Sequence, residues 1–241
     1  MPRDQDPDRA TMMRLRRGIG AIGIGLPFAL LLGVHLAGVP MENSISEFFF
    51  SELREVFVAA AAGVGLFLLA YEGYPPRPKE ILTDRRVSGL AGASVLVMAF
   101  VPTLCARGTC AHPPTLFDRL IPASADTTQA AIHLTAAGLF LLSLGIMSQR
   151  VFTRCTRPSK SLFKQRRNLC YQIFGWVIFT MVGVIGVMKL GFPNIGHHWD
   201  TQWHFTFWAE SVAVWAFGLS WLMKGAAMQT AMPYLFGKGA D

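Results

Sequence analysis

Long apolar stretches separated by short polar segments dominate this chain. Six of them approach the roughly 20 residues that an α-helix needs to cross the hydrocarbon core of a membrane. Such segments must satisfy every backbone hydrogen bond internally, so each stretch predicts a helix. The pattern therefore predicts an all-α, polytopic transmembrane helical bundle of about six spans. The stretches are 18–39, 56–74, 87–104, 129–148, 169–190 and 205–223.

The polar segments divide the chain around this bundle. Residues 1–17 form a basic N-terminal segment, 18–225 form the predicted membrane domain, and 226–241 form a tail. Between the first two stretches, residues 41–55 mix acids and serines with three consecutive phenylalanines. That mixture predicts a short interfacial helix on the outer side, which leads into the second span.

The positive charges alternate from loop to loop. Eighteen of the 22 Lys and Arg residues lie before the first stretch, between stretches two and three, between four and five, and in the tail. Because Lys and Arg in short loops stay on the cytoplasmic side, both termini are predicted to be cytoplasmic in a bacterial-type inner membrane. The first stretch is longer than the apolar region of a signal peptide, although that alternative leaves the remaining topology unchanged. The four other basic residues are Arg54, Arg107, Arg119 and Lys189.

Composition supports a lipid environment. Hydrophobic residues make up 52% of the chain and charged residues 15%, whereas soluble domains average about 25% charged residues. The net charge of +7 follows from the topology. We therefore expect membrane lipid as a partner, and no nucleic acid.

Two of the four cysteines are predicted to lie outside the cytoplasm. Cys105 and Cys110 belong to the segment Cys-Ala-Arg-Gly-Thr-Cys in the second outer loop. That compartment is oxidising, so the pair is expected to form a disulfide. Cys155 and Cys170 are predicted to be reduced thiols on the inner side.

The histidines indicate where chemistry could take place, because all six lie on the outer side or in the outer third of a span. If the last outer loop is helical, His197, Asp200 and His204 share one face. With His133 they predict a site for zinc or another divalent metal, since imidazole and carboxylate groups are its usual ligands. The alternative is that these side chains hydrogen-bond headgroups and loop backbone.

Glu210 is predicted to lie inside the last span, where an ionisable group is costly and marks a functional site or a partner. Its partner could be Lys189 or Arg54, in a pair that locks helices together. As a functional group, Glu210 would be the catalytic acid or base of the metal site, or part of a polar path. His35 and His133 lie at similar depth, as the two ligands of a b-type haem would, but this pair alone is too weak a signal to predict haem.

Several segments resemble a family of uncharacterised bacterial six-span membrane proteins. The resemblance covers 44–225 and implies the fold but no activity. A weaker likeness is to the ceramidase and adiponectin-receptor superfamily of metal hydrolases, although this chain lacks a His-x-x-x-His pair in its last span. The segments are Ser-Ile-Ser-Glu-Phe-Phe-Phe (44–50), Leu-Arg-Glu-Val-Phe-Val (53–58), Ala-Tyr-Glu-Gly-Tyr (70–74), Phe-Val-Pro-Thr (100–103), Arg-Arg-Asn-Leu-Cys-Tyr (166–171) and the whole of 207–225.

Three functional hypotheses remain open from the sequence. The first is a metal-dependent hydrolase on the extracytoplasmic face that acts on a lipid or another amphiphile. The second is a binding or transport protein for a small solute or proton, which uses Glu210 and Lys189. The third is an accessory subunit of a larger membrane complex.

Overall fold

A computed structural model describes residues 7–103, 115–120, 126–154 and 162–225. These residues fold into helices without a β-strand, which confirms the all-α prediction. The short helical turns are a 3₁₀ turn at Ser46–Phe50 and π-helical turns at Met147–Val151 and Val187–Gly191. The α-helices are α1 (Pro7–Ala37), α2 (Arg54–Ala70), α3 (Asp84–Phe100), α4 (Leu116–Leu120), α5 (Asp126–Ile146), α6 (Leu162–Gly186), α7 (Pro193–Trp203) and α8 (Phe205–Lys224).

Three helical segments of the described chain are long and apolar enough to cross a membrane. They are Ala10–Ala37, Thr127–Val151 and Lys164–Gly191, which correspond to α1, α5 and α6 with their π-helical extensions. The chain thus has the helices of a membrane protein. The three other predicted stretches fold into α2, α3 and α8, which have 17, 17 and 20 residues.

The helices pack into one bundle in which neighbours in sequence are not always neighbours in space. Helix α3 contacts α2 and α5, and α8 contacts α1 and α6. The α1–α8 contact requires glycine on both sides. A Cβ added to Gly20 would lie 2.8 Å from the Gly218 carbonyl oxygen, and a Cβ added to Gly218 would lie 2.8 Å from the Gly20 carbonyl oxygen. Gly65 and Gly92 bring α2 and α3 together in the same way. Small residues at such contacts let helix backbones approach closely.

An ion-pair network closes the basic end of the bundle, where α1, α3 and α6 begin and α2, α5 and α8 end. Asp84 is completely buried and accepts hydrogen bonds from the Arg154 guanidinium and, at 2.9 Å, from the Tyr74 backbone N–H. Arg154 also contacts Glu80 at 2.8 Å. The Arg77 backbone N–H and Arg154 keep the pKa of the Glu80 carboxyl below its usual range. The network joins the α2–α3 loop to the residues that follow α5.

Candidate functional site

The opposite end of the bundle, which we call the acidic end, is built on the segment between α1 and α2. The Phe207 backbone N–H donates a hydrogen bond of 2.7 Å to the Asn43 carbonyl oxygen. His204, between α7 and α8, has a left-handed backbone conformation with φ of 49°. Its Nδ1–H donates to the Asn43 side-chain oxygen at 3.1 Å. These contacts hold the segment against the first turn of α8.

Glu210 lies one turn further into α8 and holds the same segment. Its Oε2 accepts a hydrogen bond of 2.7 Å from the Ile45 backbone N–H. Within the described residues, Oε1 makes no hydrogen bond, and the half-buried side chain reaches the wall of an internal cavity. A backbone amide, rather than Lys189 or Arg54, is thus the partner of this carboxyl. Arg54 instead lies over the Phe49 ring, with its Cζ atom 4.1 Å from the ring centroid.

The cavity lies in the centre of the bundle, between α1, α2, α3, α5 and α8. The centres of water-sized molecules reach about 60 Å³ of it, so the cavity is narrow. Among the described residues that line it, Glu210 and Ser46 are the polar ones, and both lie at its acidic end. The apolar walls are formed by residues such as Leu26, Phe57, Ala60, Val95, Phe140 and Phe217.

Lys189 and Asp200 form the ion pair of this end. The Lys189 Nζ atom lies 2.5 Å from Asp200 Oδ2. The other carboxylate oxygen of Asp200 accepts a hydrogen bond of 2.9 Å from the Thr206 backbone N–H, in the first turn of α8. Lys189 belongs to the π-helical turn after α6, and Asp200 belongs to α7. The pair therefore joins the end of α6 to the start of α8 through α7.

The pair lies among other carboxyl groups. Glu42, Glu47 and Asp200 are buried, and Glu47, Asp200 and Glu210 interact electrostatically with each other and with Lys189. Burial raises the pKa of Glu47 to about 7, although a hydrogen bond from the Asn43 backbone N–H opposes this shift. This end of the bundle is therefore rich in hydrogen-bond acceptors. Lys189, a cation at this end, is already paired with Asp200.

Glu47 makes stability depend on pH. The pKa of Glu47 is higher in the folded protein than the ordinary 4.5, so the folded state binds the proton more tightly than the unfolded state does. The stability that this proton binding adds is complete below pH 4.5 and is lost as pH rises to about 7. The free energy of unfolding should therefore fall as pH rises through this range. Glu47→Gln is expected to make that fall smaller by about 1–3 kcal/mol. Thermal unfolding in detergent at several pH values measures it, with the exposed Glu52→Gln as control. An unchanged pH profile in Glu47→Gln would contradict the assignment.

The four predicted metal ligands have separate partners or positions. His133 is completely buried in α5, and its Nδ1–H donates to the Val101 carbonyl oxygen at 2.7 Å. His204 and Asp200 have the partners described above, and His197 lies on the exposed side of α7. In the part of the chain that the structure describes, no three His, Cys, Asp or Glu side chains are grouped so that they could hold a metal ion. The zinc site stays a prediction, which metal analysis of the purified protein would test.

The predicted disulfide cannot be compared with the structure, because Cys105 and Cys110 lie outside the described residues. The same holds for Cys155. Cys170, in α6, is a free thiol, as the sequence predicts for the inner side.

Sequence reasoning missed the backbone contacts that build the site. It offered Lys189 or Arg54 as the partner of Glu210, or a functional role for its carboxyl, but not a backbone amide. The Ile45 amide and the Asn43 carbonyl have no side-chain signature, so no residue pattern would have found them.

Comparisons with known proteins leave the family open. No protein-family model matches the chain, and no solved structure is significantly similar to it. The resemblance to six-span bacterial proteins stays a prediction.

Proposed function

We propose that this chain crosses the inner membrane six times, with both termini in the cytoplasm, and binds one single-chain amphiphile in its central cavity. The spans would be α1, α2, α3, α5, α6 and α8. The alternation of Lys and Arg supports this orientation, and the basic residues Arg17, Arg85, Arg150, Arg166 and Lys224 all belong to the same end of the helices.

One observation carries the binding proposal: an otherwise apolar cavity has a carboxyl group at one end. A pocket that is mostly apolar, with a few polar groups that fix orientation, is typical of small-molecule sites. The hydrocarbon chain would lie along Ala60, Val95 and Phe140, and the polar end of the ligand would meet Glu210 Oε1 and the Ser46 hydroxyl. A carboxylate is an acceptor, so the polar end must be a donor such as a hydroxyl or an amino group.

The charges around Glu210 limit which polar group the ligand could place beside it. Asp200, and Glu47 once it is ionised above about pH 7, add negative potential, and the cation that interacts with Glu210, Lys189, is paired with Asp200. A fatty acid would bring another carboxylate into this field, and like charges that are brought together cost binding energy. The site would therefore accept a fatty alcohol or fatty amine and reject a fatty acid.

Orientation can be tested by reporter fusions. Alkaline phosphatase fused after residue 112 should be active, whereas fusions after residues 160 and 235 should be inactive but fluorescent with a cytoplasmic reporter. An active phosphatase after residue 160 would contradict the topology.

Binding can be tested with two neighbouring alanines of α2. Ala60 lines the cavity, whereas Ala59 is exposed on the outside of the helix. Native mass spectrometry of the protein in detergent with dodecanol or dodecylamine should show one bound molecule. Ala60→Leu should reduce the bound fraction about tenfold, since the added side chain occupies the cavity, and Ala59→Leu should retain it.

Glu210 provides the test of ligand chemistry. The unsubstituted protein should bind dodecanoate at least about tenfold more weakly than dodecylamine, because one unfavourable charge contact of 1.4 kcal/mol has that effect. Glu210→Gln should reduce or abolish this preference. If Ala60→Leu binds dodecanol, dodecylamine and dodecanoate as well as Ala59→Leu does, the cavity is not the binding site.

A further inference from the structure

Buried polar atoms without a hydrogen-bond partner gather at the basic end of the bundle. Buried polar groups normally have a partner in the protein or in bound water. Of the seven side-chain atoms in the described residues that lack one, His133 Nε2 belongs to the acidic end and six belong to the basic end. These six are Arg16 Nε, Tyr71 Oη, Gln149 Nε2, Arg167 Nε, Asn168 Oδ1 and Trp221 Nε1.

Three of these groups lie in one aromatic cluster. The Arg16 Cζ atom lies 5.8 Å from the centroid of the Tyr71 ring. The Tyr71 ring packs edge-on against Trp221, with 5.3 Å between ring centroids. Trp221 is completely buried, and Tyr71 is 3% exposed. Their unpartnered N–H and O–H groups are therefore held in place by packing.

Arg167 provides a second guanidinium at the same end of the bundle. Both Arg16 and Arg167 interact electrostatically with Tyr171, which joins Trp221 through the ring of Phe152 at centroid distances of 5.6 and 5.1 Å. These cations come from the beginnings of α1 and α6, on different sides of α8.

The chemistry of the group is that of an anion site. Arg16 Nε, Arg167 Nε and Trp221 Nε1 can only donate hydrogen bonds, and Tyr71 can donate through its hydroxyl. In the described residues neither arginine has a carboxylate partner, and Asp84, an acid that interacts electrostatically with Tyr71, is engaged by Arg154 and the Tyr74 amide. Guanidinium groups bind phosphate through charge-assisted hydrogen bonds.

We propose that Arg16, Arg167, Tyr71 and Trp221 bind a phosphate group, which either an anionic lipid headgroup or a soluble phosphate would provide. Basic pockets between transmembrane helices on the cytoplasmic side commonly hold anionic lipid headgroups. The site is separate from the central cavity, and it would stabilise the basic end of α1, α2, α6 and α8 together.

The experiment is thermal unfolding of the full chain in dodecyl maltoside, with additives at constant ionic strength. Dioleoyl phosphatidylglycerol should raise the Tm by roughly 4 °C more than dioleoyl phosphatidylcholine, because a ligand that binds only the folded state stabilises it. An increase with inorganic phosphate, relative to chloride, would identify a soluble source for the same site.

Substitutions of single arginines locate the site. Arg16→Gln and Arg167→Gln should each lose more than half of the increase in Tm. Arg14→Gln removes the same charge from an exposed position of α1 and should retain it. An equal loss in Arg14→Gln, or no increase with either anion, would overturn the proposal.

Tyr71→Phe provides a second readout that does not depend on charge. Removing this buried hydroxyl, which lies beside the Arg16 guanidinium, should change the Tm without additive only slightly. The same substitution should reduce the lipid- or phosphate-dependent increase, because one hydrogen bond to the anion is lost. A full response in Tyr71→Phe would contradict its place in the site.

Discussion

Asp84→Asn is expected to lower the free energy of unfolding by about 3–5 kcal/mol, because it breaks a buried ion pair by removing one partner. Asp84 is completely buried, and its two oxygens are engaged by Arg154 and by the Tyr74 backbone N–H. The amide removes the more deeply buried of the two carboxylates, Asp84 and Glu80, that compensate Arg154. Its NH₂ group would also face another donor.

Thermal or denaturant unfolding in detergent measures this effect. Glu72→Gln is the matched control, because Glu72 is an exposed acid at the same end, and it should change stability by less than about 0.5 kcal/mol. The double variant Asp84→Asn with Arg154→Met should recover part of the loss, since the cation that Asp84 compensated is also removed, and the Glu80 carboxylate that remains is partly exposed. A double variant that is as unstable as the sum of the single ones would show that the two side chains act independently.

Asp200→Ala is expected to cost about 2–4 kcal/mol, because it removes two contacts from a buried position. The carboxylate binds Lys189 and also accepts the Thr206 backbone N–H, which begins α8. Loss of such a capping acceptor typically costs about 1 kcal/mol. The ion pair adds less than a fully buried pair would, since the Lys189 side chain is 40% exposed.

A double-mutant cycle identifies the partner of Lys189. Lys189→Met and Asp200→Asn should show a coupling energy of about 1 kcal/mol, whereas Lys189→Met and Glu210→Gln should show a much smaller one. Thermal unfolding of the single and double variants gives both values. Stronger coupling to Glu210 would contradict the geometry of this end.

The sequence predicts the helices well because their cause is local in the chain. A long apolar stretch must be helical in lipid whatever surrounds it, so α1, α5 and α6 follow from composition. The short helix predicted within 41–55 corresponds to the turn at Ser46–Phe50, whereas α7 entered only as the condition under which His197, Asp200 and His204 share one face. Glycines were only partly predictable: Gly20 faces Gly218, but Gly25 has no atom within 4 Å of an added Cβ.

The contacts of the candidate site follow from tertiary packing, which residue types do not encode. The sequence predicts the end of the bundle at which Lys189 lies, but its partner, Asp200, is set by the position of α7. The sequence gives no sign that Glu210 binds an amide from a segment 165 positions earlier, or that buried polar atoms such as Trp221 Nε1 lack a hydrogen-bond partner. A contact between distant segments depends on the rotation of each helix about its axis.

The glycine contact between α1 and α8 has a consequence for biosynthesis. Helix α1 leaves the ribosome well before α8, so its small-residue face lacks its partner until α8 has been made. Domains that are completed late pass through partly assembled states in which such surfaces are open to other chains. A chain that ends before Gly218 therefore leaves α1 without its partner.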